Sequence, residues 1–197
     1  MSLSGKVETW LEYEIRDKEG RIIKKGKIKG KSWKKNFARL LRVVFGESET
    51  LRNTGGTGVT ILRDHLVDAT VLAPEGNDNY GILVGTGGTP PTGDDDSDVY
   101  NLANKIAHGD ADNKLHHYDT TFVEISFDGS YVYLKYTRDF KNNGSVDINI
   151  QEVALVEQIT PDTTADYFLL FHTTLGSAVT VPAGATITWR VILKYAP

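Results

Sequence analysis

Acidic side chains in the middle of the chain are the first residues that could carry chemistry. Asp94, Asp96 and Asp98 alternate with other residues, and carboxylate oxygens at this spacing can bind a hard cation such as calcium. A calcium-binding loop of the EF-hand type also needs a glycine and a glutamate, but Val99 and Lys105 stand at those two positions. The pattern therefore favours capping of a helix over metal binding.

Histidines next to further aspartates raise the same question. The group consists of His108, His116, His117, Asp110, Asp112 and Asp119. It contains neither two histidines four residues apart nor an H-E-x-x-H motif, so a metal site is not favoured. We expect that the protein needs neither a metal nor another cofactor.

Recognisable motifs for a catalytic nucleophile or for phosphate binding are missing from the sequence. The chain has no cysteine, which excludes disulfides, thiolate zinc sites and cysteine nucleophiles. It has no G-x-S-x-G element, and the glycine-rich segments 55–58 and 85–88 lack the Lys-Ser/Thr of a P-loop. We therefore expect that the protein is not an enzyme.

A run of cations in the N-terminal part could bind a partner. The candidate partner-binding residues are Lys24, Lys25, Lys27, Lys29, Lys31, Lys34, Lys35, Arg39 and Arg42. Clustered cations can dock onto an acidic protein surface, and they can also release counterions from the phosphates of a nucleic acid. In the third interpretation the lysines are only solvated and keep the edge of a sheet from aggregating.

Charge is divided unevenly along the 197 residues. Residues 1–45 hold 13 of the 22 Lys and Arg residues and 5 of the 26 acidic residues, a net charge of +8, whereas the remainder has a net charge of −12. A basic N-terminal part on an acidic body suggests an electrostatic partner, which includes neighbouring copies of the same chain.

The alternation of apolar and polar residues predicts the elements that position these groups. Residues 6–16 and 21–29 alternate as two strands, which predicts a long N-terminal hairpin. Apolar residues then recur at helical spacing over 33–45, with Ser32 as the N-cap. A second, shorter helix is predicted near residues 97–107.

From residue 120 onward the pattern is that of strands with short turns. The uncharged stretch 167–189 also alternates and contains Pro182, so we expect no membrane span. The sequence predicts a mainly β fold, with a basic hairpin plus helix over 1–46 and a β-sandwich or jelly-roll-like body over 47–197, in one folded unit. The predicted core residues are Val123, Ile125, Val153, Leu155, Leu169, Ile187, Trp189 and Val191.

Aromatic residues on the strands raise a further possibility. They are Trp10, Tyr131, Tyr133 and Tyr136, of which Tyr131 and Tyr133 share one face of a predicted strand. Exposed aromatic rings on a β-sandwich can stack on sugar rings. Ordinary packing between neighbouring strands is the favoured interpretation.

Several segments, taken in order, resemble a known group of proteins. Residues 81–92 read GILVGTGGTPPT, residues 150–156 read IQEVALV, residues 168–174 read FLLFHTT and residues 179–189 read VTVPAGATITW. Together with SWKKNF at 32–37, they resemble a pattern in virion structural proteins of tailed bacteriophages and related archaeal viruses, over residues 32–195. The resemblance implies a non-enzymatic part of the virion.

We accordingly expect a structural component of a tailed-virus particle, located in the virion. Capsid decoration, head–tail joining and the base of a tail or fibre all remain open. The expected partners are other copies of the chain and other virion proteins, with nucleic acid less favoured and no membrane. The alternative is a carbohydrate-binding or adhesin β-sandwich module.

Overall fold

Strands make up most of the protein. The structure is a computed structural model and describes residues 7–30, 32–93 and 98–195. Within these ranges the elements are β1 (Val7–Arg16), β2 (Ile22–Lys29), β3 (Ser32–Trp33), α1 (Lys35–Val44), β4 (Glu49–Arg52), β5 (Gly58–Ile61), a 3-10 helix (Arg63–Asp68), β6 (Gly81–Gly85), β7 (His116–Phe127), β8 (Val132–Lys141), β9 (Ile148–Ile159), β10 (Asp166–Val181) and β11 (Thr186–Tyr195). No helix in the described part of the chain is long and apolar enough to cross a membrane.

The strands pair into antiparallel sheets. One sheet has five strands in the order β2-β1-β11-β8-β7, a second has four in the order β3-β10-β9-β6, and β4 pairs with β5. Leu11 and Trp189 of the five-stranded sheet share a buried cluster with Val153 and Phe171 of the four-stranded sheet. The prediction of a mainly β, sandwich-like body with an N-terminal hairpin and one amphipathic helix is therefore confirmed.

The N-terminal hairpin is built into this sandwich. β1 pairs with β11 along its whole length, from Val7 opposite Tyr195 to Arg16 opposite Thr186. β2 lies outside β1, so the lysine-rich strand forms one edge of the five-stranded sheet.

Six of the eight predicted core residues are buried, and two are not. Trp189 and Val191 are fully buried, as the alternation of the last strand predicts. The prediction was wrong for Val123 and Ile125, which are 48% and 66% exposed. Both lie on β7, the other edge strand of the sheet, where the register with β8 shifts between Phe122 and Glu124. An edge strand has a neighbour on one side only, so alternation alone does not ensure burial.

The first helix starts later than predicted. α1 spans Lys35–Val44, and its N-cap residue is Lys34, not Ser32. Residues 32 and 33 form β3 instead, which pairs with His172 and Phe171 of β10. This strand pairing overrides the local N-cap preference.

The second predicted helix does not form over residues 98–107; its first residue, Ser97, lies outside the described residues, as do Asp94 and Asp96. The backbone of this segment bonds to β6 instead, because Thr86 donates to the carbonyl of Asn104 and Ile106 donates to the carbonyl of Val84. These groups are no longer free for the bonds within a helix.

Candidate functional site

The predicted partner-binding cations fall into two groups in the structure. Lys24, Lys25, Lys27 and Lys29 lie on the edge strand β2, and Arg39 and Arg42 lie on α1. Lys34 and Lys35 stand where the helix begins, and Lys31 lies outside the described residues. Eight of the nine residues therefore lie on two elements, the edge strand β2 and the helix α1 with the residue before it.

Several of these cations are already paired within the chain. The ammonium groups of Lys27 and Lys29 lie 3.0 Å from carboxylate oxygens of Glu12 and Glu8 on the neighbouring strand. Both also stand over the ring of Trp10, at 5.2 and 5.7 Å from its centroid. These contacts reduce the charge available to a partner, although exposed ion pairs add little stability.

The helix arginines contact acidic residues that follow them in the chain. Arg42 pairs with Glu47 and Glu49. Arg39 lies 3.7 Å from Asp98, a residue of the predicted acidic motif that is 2% exposed and also accepts from Arg52. Asp98 thus takes part in an arginine cluster.

Lys24 and Lys25 are different, because they are exposed and have no ion pair within the part of the chain that the structure describes. Ile22 and Ile23, just before them, are 49% and 51% exposed. In the first half of β2, cations and apolar side chains therefore lie next to each other on the exposed surface.

In the histidine group considered as a metal candidate, hydrogen bonds hold the ring of His116, whereas the buried ring nitrogens of His117 have no partner among the described residues. His116 contacts Glu75 at 2.7 Å and Asp110 at 3.1 Å, and the hydrogen bond with Glu75 raises the pKa of His116. His117 is fully buried against Phe140. Among residues 7–30, 32–93 and 98–195, no three such side chains are arranged to hold a metal ion.

A buried carboxylate joins the segments that carry the family resemblance. Glu152 accepts hydrogen bonds from the backbone N–H groups of Gly87, Ala103 and Asn104, and it contacts His172. Burial acts to raise the pKa of Glu152, but these hydrogen bonds outweigh it and hold the pKa below its ordinary value. Because its partners are backbone N–H groups and a buried histidine of the same sandwich, this group stabilises the fold.

A buried arginine makes a second structural connection. Arg138 on β8 is fully buried and donates to the backbone carbonyls of Tyr118, Tyr80, Ile82 and Asn77. Burial lowers its pKa to about 10, so the guanidinium stays charged at neutral pH. It connects β8 to β6 and to the chain before β6.

The aromatic residues considered for sugar binding do not form one platform. The rings of Tyr131 and Tyr133 are 6.3 Å apart and inclined by 59°. The ammonium of Lys194 lies 3.5 Å from the centroid of the Tyr131 ring and covers it. Tyr136 instead packs against Phe122. This arrangement does not favour stacking of a sugar on a flat aromatic surface.

The largest opening among those described lies between the two sheets. It is an apolar cleft of about 590 Å³, lined by both sheets, α1 and residues 69–72. Its wall includes Trp33, Phe37, Tyr136, Leu170 and Leu193. A cleft of this size and composition resembles the sites at which proteins bind small molecules.

Two polar atoms that belong to residues of the cleft wall have no hydrogen-bond partner among the described residues, and neither atom is accessible from the cleft. They are Oε2 of Glu157 and Nε1 of Trp33, and both atoms are buried. Burial raises the pKa of Glu157 to about 7. Sequence reasoning missed this site, although one signal was present: Glu157 comes two residues after the buried Leu155, where alternation calls for another apolar side chain.

Exposed apolar side chains continue beyond the cleft along β7. Phe122, Ile125 and Phe127 stand opposite Tyr136, Leu134 and Val132 of β8, respectively. Residues opposite each other share a face, so this row extends the face that lines the cleft. Ile125 and Phe127 are 66% and 64% exposed.

Comparisons of the chain with protein-family models, with curated proteins and with solved structures found no match.

Proposed function

We propose that the protein is a non-enzymatic structural component of a tailed-virus particle, in which it contacts other copies of itself or other virion proteins. The observation that carries this proposal is the exposed apolar row of β7, formed by Phe122, Ile125 and Phe127. Contiguous exposed apolar surface on a folded domain marks a contact with another molecule. A structural subunit needs such a surface for assembly.

Two further observations support the proposal. Three of the segments on which the resemblance rests meet at Glu152, which contacts Gly87 and His172 and stabilises the sandwich. The exposed start of β2, with Lys24 and Lys25, offers a second contact surface, which carries positive charge where the row of β7 is apolar. Together these surfaces let one subunit contact more than one neighbour, as an assembly requires.

The direct test is to change the apolar row and measure assembly. Ile125→Glu together with Phe127→Glu should leave the circular dichroism spectrum unchanged, because both side chains are exposed, and should reduce incorporation into the parent particle. Incorporation is measured by mass spectrometry of purified particles and their location by electron microscopy. Val146→Glu is a matched control, since Val146 is an exposed valine after the far end of β8.

Normal incorporation of the doubly substituted chain would refute a role for this face. Absence of the parent protein from purified particles would refute the virion function as a whole.

A further inference from the structure

We propose that copies of the chain associate head to tail, with strand β2 of one copy pairing antiparallel to strand β7 of the next. The five-stranded sheet would then continue from one copy to its neighbour. This inference rests on the self-contacts included in the proposed function, and it names the two surfaces that meet in such a contact.

Both outer strands of the five-stranded sheet have an unpaired side. The sheet begins with β2 and ends with β7, so each of them has a neighbouring strand on one side only. The first half of β7 is covered, because the backbone of residues 73–76 bonds to Thr120 and His117. Among the described residues, no backbone–backbone hydrogen bond covers the outer side of β2 or of residues 121–127. Unpaired backbone groups of this kind can pair with a further strand.

The charges of the two edges favour one combination of edges. β2 carries four lysines and no acidic residue. β7 carries Asp119 and Glu124 and neither lysine nor arginine. Pairing of two β2 edges would bring lysines together, and pairing of two β7 edges would bring carboxylates together, and like charges destabilise a strand pair. Of the pairings between these edges, β2 with β7 is the one that joins opposite charges.

The faces of the two strands match in an antiparallel register. Lys24 stands opposite the buried Ile15 of β1, and Ile125 stands opposite a residue of the cleft wall, so both lie on the inner face. Their neighbours Lys25 and Glu124 therefore lie on the outer face of the sheet. In an antiparallel ladder, Lys25 of one copy can stand opposite Glu124 of the next. Lys24 then stands opposite Ile125, so the inner-face residues also meet.

This register gives the contact an ionic part and an apolar part. Lys25 is exposed and has no ion pair in the described part of the chain, so its ammonium is available to Glu124 of the neighbouring copy. The carboxylate of Glu124 lies 2.7 Å from Lys135 within its own sheet and would then have a cation on each side. At the end of the ladder, the exposed isoleucines at the start of β2 come next to the exposed Phe127. Their contact removes apolar surface from water.

The contact is heterologous, because the two copies contribute different strands. Each pair of copies still has one free β2 edge and one free β7 edge, so further copies can join in the same way. Contacts of this type form a ring when the rotation closes and a filament when it does not. Association should therefore continue beyond a dimer.

Cysteine cross-linking of the full chain tests the pairing and its register. The chain has no cysteine of its own, and the double variant Lys24→Cys with Ile125→Cys leaves the charges of Lys25 and Glu124 in place. On mild oxidation it should form a ladder of covalent oligomers on a non-reducing gel. The two positions lie on opposite edges of a five-stranded sheet, about 19 Å apart at the usual strand spacing, so a disulfide within one copy is excluded.

A matched control and the two single variants make the result specific. Lys24→Cys with Val146→Cys keeps the thiol on β2 and moves the other one to an exposed position outside β7, and it should give no ladder. Lys24→Cys alone and Ile125→Cys alone should also give none. Circular dichroism shows that each variant is folded before oxidation.

Charge reversal tests the ionic part by sedimentation velocity at low salt. Lys25→Glu and Glu124→Lys should each lower the association constant about tenfold, because like charges then face each other between copies. The chain that carries both substitutions should regain the association of the parent, since the two charges are exchanged. A contact of β2 with some other surface would not be restored in this way.

Absence of a ladder from the folded double-cysteine variant would overturn the proposal. Cross-linked dimers from a single-cysteine variant, in place of the ladder, would overturn it in favour of two identical edges, and a double reversal that fails to restore association would also contradict it. The incorporation assay above separates these results from the proposed function. Incorporation into particles without a ladder refutes only the head-to-tail contact, whereas a ladder from a chain that particles lack refutes only the virion function.

Discussion

Oε2 of Glu152 lies 2.9 Å from Nε2 of His172, and the two residues are 0% and 4% exposed. Glu152 belongs to segment 150–156 and His172 to segment 168–174, both of which carry the family resemblance. Through Gly87, the same carboxylate also holds the glycine-rich segment 81–92. Glu152 therefore connects three segments that are distant from one another in the sequence.

Removing this carboxylate should destabilise the protein strongly. Glu152→Ala should lower the free energy of unfolding by about 3 kcal/mol or more, because it leaves buried backbone N–H groups without an acceptor. Urea denaturation measures the loss. Gln151→Ala, a change of the exposed neighbouring residue, should stay within about 0.5 kcal/mol of the parent chain. A small loss for Glu152→Ala would mean that water replaces the carboxylate.

Trp189 should be one of the largest single contributors to the core. It is fully buried and packs against Tyr13 at a centroid distance of 5.2 Å. Trp189→Ala should cost about 3–5 kcal/mol in the free energy of unfolding. Trp10→Ala, which changes a partly exposed tryptophan on β1, should cost clearly less in the same urea titration. Similar losses for both variants would contradict the inward position of Trp189.

His117 should make stability depend on pH in the acid range. Burial, aided by the charge of Arg138, lowers the pKa of His117 from 6.5 to about 3. Below pH 6.5 the unfolded chain binds a proton at this position and the folded chain does not, so stability falls as the pH falls toward 3. The slope from this one group is about 1.4 kcal/mol per pH unit.

The comparison with His117→Gln isolates this contribution. The free energy of unfolding of the variant, measured by urea denaturation between pH 7.5 and 4.5, should fall less steeply with decreasing pH than that of the parent chain. Parallel curves would show that folding does not lower the pKa of His117.

The exposed lysines at the start of β2 should affect association and leave folding intact. The double substitution Lys24→Glu with Lys25→Glu should slow association with other copies of the chain or with other virion proteins at low salt. Opposite charges on two surfaces speed their encounter, and salt screens this attraction beyond about 8 Å at physiological ionic strength. Association rates measured at several salt concentrations would show the effect as a weaker salt dependence.

A matched control separates this effect from stability. Lys27→Glu with Lys29→Glu breaks the ion pairs with Glu12 and Glu8 and should cost up to about 1 kcal/mol per pair in unfolding free energy. If neither double substitution changes the association rate at any salt concentration, these lysines only solvate the edge of the sheet. DNA binding that weakens steeply with salt would instead support the nucleic-acid interpretation.

Local periodicity predicted the elements whose residues face a continuous core. The N-terminal hairpin and the inward row that contains Trp189 and Val191 follow from alternation over a few residues. The same alternation was wrong for Ile125, because it cannot tell an edge strand from a central one. The acidic start near Asp98 predicted a helix, but the backbone of residues 98–107 bonds to β6.

The mainly β class, the position of the basic segment and the alternation of the strands could all be predicted from the order of the residues, because these features depend on near neighbours in the chain. The pairing of the individual cations, the contact of Gly87 with Glu152 across 65 residues of sequence and the position of Glu157 at an apolar cleft could not be predicted in this way. The physical reason is that burial and pairing depend on contacts between distant segments, and no local pattern encodes which segments meet.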